Sequence, residues 1–215
     1  FPNLFRFHHD IKVDVELSEA MQRSAEEAGI VSMMMRNPDF RVDYGTIVSC
    51  HMINPDWDKP LVTISSNRST HYYSDEVMNE QASALGKAVS KAIEESGKKV
   101  VLVASHSLSH RHFVTEAPLP EDMSREHIYN HSQYVWDMKV IEMMREGKMK
   151  EVIGILPEMI EQTMAEAEGG GLTWMMAAMG MPDYPAEIYG YQSVIGTGNV
   201  IAAWDPNSST RAIVL

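Results

Sequence analysis

The stretch SHSLSHRHF crowds His106, His110 and His112 into one short segment. Imidazole changes charge near neutral pH and is a common metal ligand, so the cluster could relay protons or bind a transition metal. The four-residue step from His106 to His110 suits a zinc pair only on a helix, where such residues share a face. HEXXH is absent, and the residues before the cluster, KKVVLVA, read as a strand. A zinc-dependent hydrolase is therefore the weaker chemistry, and the residues alone leave catalytic and metal-binding roles open. Loop histidines also commonly do no more than satisfy backbone carbonyls, so residue type alone assigns no role.

The elements that would carry this segment can be read from periodicity. The apolar run Val100–Ala104 predicts a buried strand ending at the histidines. In open α/β sheets ligands collect outside the carboxyl ends of strands, so the loop lies where chemistry is expected. A helix over Glu76–Ser96 precedes the run, which implies a βαβ-like arrangement and an α/β fold, with a mixed, largely parallel sheet flanked by helices. Upstream, Val15–Ala28 has helical spacing, with Gly29 as its stop. Between Asp43 and Ser66 the β-branched runs TIVSC and LVTIS, separated by Asn-Pro-Asp, predict two strands. Downstream, helices are expected over Tyr134–Arg145, over Pro157–Glu168 and from Leu172. A hairpin, EIYGYQSVIGTGNVIAAWD, should close the chain. No internal repeat is present, and residues 1–215 read as a single domain, catalytic on the resemblance given below.

Composition narrows the partners. With 44% hydrophobic and 22% charged residues the chain has the balance of a globular enzyme. A formal charge of −12 argues against nucleic acid and anionic membrane surfaces, and no apolar run is long enough for a bilayer. One cysteine, Cys50, cannot form an intrachain disulfide, and no signal-peptide pattern is visible, so the cytoplasm is the expected compartment.

Three stretches together resemble a known family. The apolar strand followed by SHSLSHRHF resembles the G-x-G-G-[LM]-S-H loop of the class III extradiol ring-cleavage dioxygenases, the protocatechuate 4,5-dioxygenase superfamily. DYGTIVSCHMINPDWDKPLVTIS resembles the family's D-H-G-[TS] segment, with Tyr44 where catechol-cleaving members have histidine, as in the aminophenol-cleaving branch. EAEGGGLTWMMAAMG resembles the region in which a metal-binding glutamate precedes a short Trp-containing helix. Order and separation of the three, with GYQSVIGTGN at the end, extend the resemblance over almost the whole chain.

The resemblance implies a non-haem Fe(II) enzyme that opens an aromatic ring with O₂. The substrate would be 2-aminophenol or a catechol, and the product a (2-amino)muconic semialdehyde. By motif, His110 is the acid and base, Glu166 the carboxylate iron ligand with Glu168 as the alternative, and Tyr44 contacts substrate; His106 stands where the catechol-cleaving members have glycine and is expected to hydrogen-bond substrate. Two histidine ligands are expected upstream of Phe1, which makes the domain N-terminally incomplete on this reading. A redox-active iron is needed because triplet O₂ reacts poorly with a closed-shell ring, and a two-histidine, one-carboxylate face leaves room for both reactants. A homo- or hetero-oligomer with a related subunit is also implied, and a noncatalytic partner subunit of such an enzyme is the alternative function.

Adjacent His8 and His9 diverge on either a helix or a strand and are not the missing pair. His51, His71, His127 and His131 match no motif. Met33–Met35 and the methionines near Trp174 read as gap-filling core.

Overall fold

The computed structural model describes residues 10–37, 39–65, 73–111, 130–194 and 196–207. His8, His9, His71, His112 and His127 lie outside the described residues. Helix α1 (Val15–Glu27) is set by Asp14, whose carboxylate accepts the Leu17 N–H at 3.0 Å and so satisfies one donor left open by a helix start. Leu17, Met21, Ser24 and Ala25 are its buried stripe, and Gly29, at φ +80°, follows its end as expected.

The next segment departs from expectation. Tyr44–Ile53, which contains the TIVSC run, is helix α2, not a strand. Asp43 decides it, because its carboxylate accepts both the Thr46 N–H (2.9 Å) and the Thr46 hydroxyl (2.8 Å). Capping thus outweighs the weak β preference of branched side chains. LVTIS is no strand either; Leu61 makes only an isolated parallel bridge to Val13.

Helix α3 (Asp75–Ser96) begins at the Ser74 cap and ends at Gly97, in left-handed conformation at φ +65°. Its Gly86 lies so close to the next layer that a Cβ there would overlap the Trp174 carbonyl oxygen. Helix α4 (His131–Arg145) starts at Asn130, which accepts the Gln133 N–H at 2.9 Å. Helix α5 (Met149–Thr163) runs through Pro157, where the sequence suggests a helix start. A proline costs the helix one hydrogen bond, but Val152, Leu156, Met159 and Thr163 form a continuous buried face that offsets it. The helix stops at Thr163 because Met164 turns left-handed, at φ 52°, so Glu166 and Glu168 are not helical residues of α5. A short 3-10 turn (Glu166–Gly169) leads into α6 (Gly170–Ala178).

Strands β1 (Glu187–Val194) and β2 (Thr197–Ala203) form the expected hairpin, antiparallel from Glu187 opposite Ala203 to Val194 opposite Thr197. Among the described residues this is the whole sheet, so helix and strand are mixed but the largely parallel sheet is not formed. Val100–Ala104 belongs to no helix or strand. Leu102 and Ala104 pack inward, whereas Val101 is 80% exposed. An apolar run becomes a strand only where another backbone takes up its N–H and C=O groups, and none among the described residues does.

The main core joins α4, α5 and α6 through Val140, Met144, Val152, Met159 and Met176, with Leu108 and Ala186. A smaller cluster joins α1 and α3, and Trp174 of α6 touches both. The methionines beside Trp174 are core as expected, whereas Met33 is 81% exposed and Met35 is also on the surface, against expectation. No helix among the described residues is long and apolar enough to cross a membrane.

Candidate active site

The loop after Ala104 is held by three elements. From the hairpin, Gly198 offers its carbonyl to the Leu108 N–H (2.8 Å) and its N–H to the Ser109 carbonyl (2.9 Å), while His110 bridges Thr197. The Ser107 hydroxyl donates to Asn199 Oδ1 at 2.8 Å. From α4, Asp137 accepts both the Ser109 N–H (2.9 Å) and the Ser109 hydroxyl (2.7 Å). From the Glu166 turn, the Glu166 N–H donates to the Leu108 carbonyl at 3.2 Å, and Glu166 Oε2 in turn accepts the Ser107 N–H. The loop and the turn are therefore fixed to one another in both directions.

This pairing brings His110 and Glu166 together from distant parts of the sequence. His110 Nε2 lies 4.0 Å from Glu166 Oε1, beyond hydrogen-bond length but within an ion pair's reach if the imidazole is protonated. Both line an open cavity of about 670 Å³, with Tyr73, Asp75, Ile160 and Glu168 also on its wall. That volume is within the range of small-molecule sites. The turn beneath it is strained, since the non-glycine residues Ala167 (φ 44°) and Glu168 (φ 47°) both adopt left-handed backbone. Such conformations cost on the order of 1–3 kcal/mol each and tend to be kept where a site needs them.

His106 packs sideways against the first turn of α6, and a Cβ at Gly171 would lie 3.0 Å from its ring. Tyr44 opens α2 with its side chain 62% exposed. Its neighbour Gly45 lies against Ser105, where an added Cβ would come within 2.9 Å of the hydroxyl oxygen. Neither His106 nor Tyr44 is among the residues lining the cavity, so of the four sequence candidates the cavity wall joins two. His51 and His131 have structural settings: the Trp57 indole donates to His51 Nδ1 at 3.4 Å, and His131 stacks on Tyr134. Cys50 is a buried free thiol, and burial pushes its pKa up.

For a metal ion, Glu166 has the right chemistry and place: a half-buried carboxylate on the cavity wall, oriented by the Ser107 N–H. Among the described residues, no three His, Cys, Asp or Glu side chains are grouped to hold an ion. The fit is thus to one ligand.

Sequence reasoning missed Ser109 and Asp137. Asp137 had a readable signal, because it falls at helical spacing among Gln133, Val140, Ile141 and Met144, all buried, where a carboxylate is out of place. Burial pushes the Asp137 pKa up against the lowering effect of its hydrogen bonds from Ser109 and Tyr191. Burial and the nearby Asp137 carboxylate raise Tyr191 in turn.

Comparison with known proteins places the chain in a family. A family described as the catalytic LigB subunit of aromatic ring-opening dioxygenase matches residues 2–203. The chain is 53% identical to the 2-aminophenol 1,6-dioxygenase beta subunit of a Pseudomonas species, over 95% of this chain and 67% of that protein. It is 26% identical to 3,4-dihydroxyphenylacetate 2,3-dioxygenase of Escherichia coli, over 81% of this chain and 60% of the relative. Identity to the 2-aminophenol 1,6-dioxygenase alpha subunit of Pseudomonas is 25%, over 90% and 68% respectively. Matched over nearly its whole length, the chain belongs to the LigB family of aromatic ring-opening dioxygenases, the class III extradiol enzymes.

Proposed function

We propose that this chain is the catalytic part of an Fe(II)-dependent extradiol dioxygenase that opens 2-aminophenol, or a catechol, to a (2-amino)muconic semialdehyde. The observation that carries the reading is the meeting of His110 and Glu166, 4.0 Å apart on one cavity wall. The beta-subunit relative favours an aminophenol and an assembly with a related second subunit, because alpha and beta subunits of that enzyme are both similar to this chain. The noncatalytic-subunit alternative gives no role to a strained turn that presents a carboxylate to an imidazole.

Iron, when bound, would supply the electron transfer that lets O₂ react with the ring. Glu166 is assigned as its carboxylate ligand, and the remaining ligands are not among the described residues. His110 takes a proton from the substrate OH or NH₂ as the substrate enters and returns one to oxygen later, a task that suits an imidazole. Its half-exposed ring faces the cavity, while its backbone is tied to β2, so the proton-carrying atom can be both reachable and fixed. Tyr44 and His106 are assigned to substrate contact, the phenol as donor or acceptor.

In the complete enzyme, His110→Ala should keep its iron and lose turnover by roughly a hundredfold or more, since a general acid and base contributes ~10² to 10⁴ in rate. Glu166→Ala should lose iron first. Tyr44→Phe and His106→Ala should raise KM more than they lower kcat. Iron per chain, measured beside oxygen uptake with 2-aminophenol and with catechol, checks all of these. Iron lost from the His110 variant and kept by the Glu166 variant would reverse the two roles.

A further inference from the structure

We propose that Asp137 is a positioning residue for His110, acting through Ser109; this rests on the proton-handling role of His110 proposed above. Asp137 is fully buried on α4, and so is Ser109. A buried carboxylate is expensive unless its oxygens are all used. Here Oδ1 accepts the Ser109 N–H at 2.9 Å, and Oδ2 accepts the Ser109 hydroxyl at 2.7 Å and the Tyr191 hydroxyl at 2.8 Å. An apolar side chain of similar size would fill this space without the desolvation cost, so packing alone gives no reason for an acid here.

The geometry of the two Ser109 bonds supplies one. A single hydrogen bond lets a residue pivot, whereas two donors of one residue on two oxygens of one carboxylate fix its orientation. The Ser109 carbonyl is held from the opposite side by the Gly198 N–H at 2.9 Å. The peptide joining Ser109 to His110 therefore has both neighbours fixed, and the direction in which the His110 side chain leaves the backbone is fixed with it. Gly198 permits the arrangement: a Cβ there would overlap Asp137 Oδ2 and lie 2.8 Å from the Tyr191 hydroxyl. A group that moves protons needs this restraint, since displacement by about 1 Å can cost on the order of 10²-fold in rate.

The test compares two bonds to the same oxygen. Ser109→Ala removes the one on the His110 side, and Tyr191→Phe removes the one on the far side. In the iron-loaded complete enzyme with 2-aminophenol, Ser109→Ala should lower kcat about tenfold with KM within about twofold. Both variants should lower the melting temperature by a similar amount, since each loses one bond to the same oxygen, but Tyr191→Phe should change kcat by less than about twofold. Amide hydrogen exchange gives a readout independent of turnover: Asp137→Ala should speed exchange in residues 107–110 and leave α5 and α6 unchanged. Equal kcat losses in the Ser109 and Tyr191 variants, or exchange that rises evenly across the chain, would reduce Asp137 to a stability role and overturn the proposal. Should Asp137→Ala not fold, the Ser109 and Tyr191 pair still decides. Full turnover in His110→Ala marks the different failure, that of the reading on which the proposal rests.

Discussion

Residues 131–203 and residues 31–65 are both rich in apolar side chains, yet they use them in opposite ways. In the first region Val140, Val152 and Met176 have no exposed surface. In the second, Val31 is fully exposed, and Met52 (68%) and Ile53 (57%) are mostly so. Arrangement explains the contrast better than hydrophobicity does. Along α4, the positions 133, 137, 140, 141 and 144 recur on one face, which can be laid against α5. Along α2, Ile47, Val48, Met52 and Ile53 do not make one buried stripe, and Cys50 is the helix's buried residue. The candidate site straddles this difference. Glu166 is seated directly on the packed region and His110 is clamped to it, whereas Tyr44 starts the mostly exposed helix α2, capped by Asp43.

The largest stability effect should come from the packed side. Met176→Ala is expected to cost about 2–5 kcal/mol, through lost burial plus the cavity left behind. Urea denaturation of the variant beside the parent chain measures it. A cost near zero would mean that α6 is not wedged between the two clusters and that the contrast is overstated.

A smaller effect should appear with pH, and it sharpens the comparison because it reports on the one acid buried in the packed region. The folded Asp137 pKa is raised above its ordinary value of 3.8, chiefly by burial. Between those two values the folded chain binds more protons than the unfolded chain. The stability this group contributes is therefore fully present below its unfolded value and is lost as pH rises through the folded one. Melting temperatures of the parent and Asp137→Asn, followed upward from pH 3.5, should show the parent losing ground relative to the variant. The reverse slope would mean that the hydrogen bonds from Ser109 and Tyr191 outweigh burial.

The same contrast governs what the sequence could show. Helices α1, α3 and α4 were legible because each follows a capping residue, Asp14, Ser74 or Asn130, and the closing hairpin and the buried methionines beside Trp174 were legible from their composition. The α2 segment was not, since TIVSC has the composition of a strand and the deciding bond is made by Asp43 outside it. Val100–Ala104 was not legible as a strand, because whether an apolar run becomes one depends on a distant partner. At the site, His110 and Glu166 were nameable from motif resemblance, while the 4.0 Å between them required the folded chain. Ser109 passed unnoticed because serine in a loop carries no signal until its buried acceptor is known.

The smallest expected effect tests the other half of the comparison. Met33→Ser and Met52→Ser each replace a large apolar side chain with a small polar one, at positions 81% and 68% exposed. Burial is what makes such a change costly, and little burial exists to lose at either place. Both variants should therefore fall within about 0.5 kcal/mol of the parent in urea denaturation. Helix propensity does not disturb the expectation at residue 33, which lies outside any helix. At residue 52, near the end of α2, serine is only slightly the poorer helix former. A loss above about 2 kcal/mol in either variant would show that the segment packs its methionines when the chain is folded in solution. The division into a packed region and an open one would then be wrong, and Tyr44 would share the rigidity of His110 and Glu166.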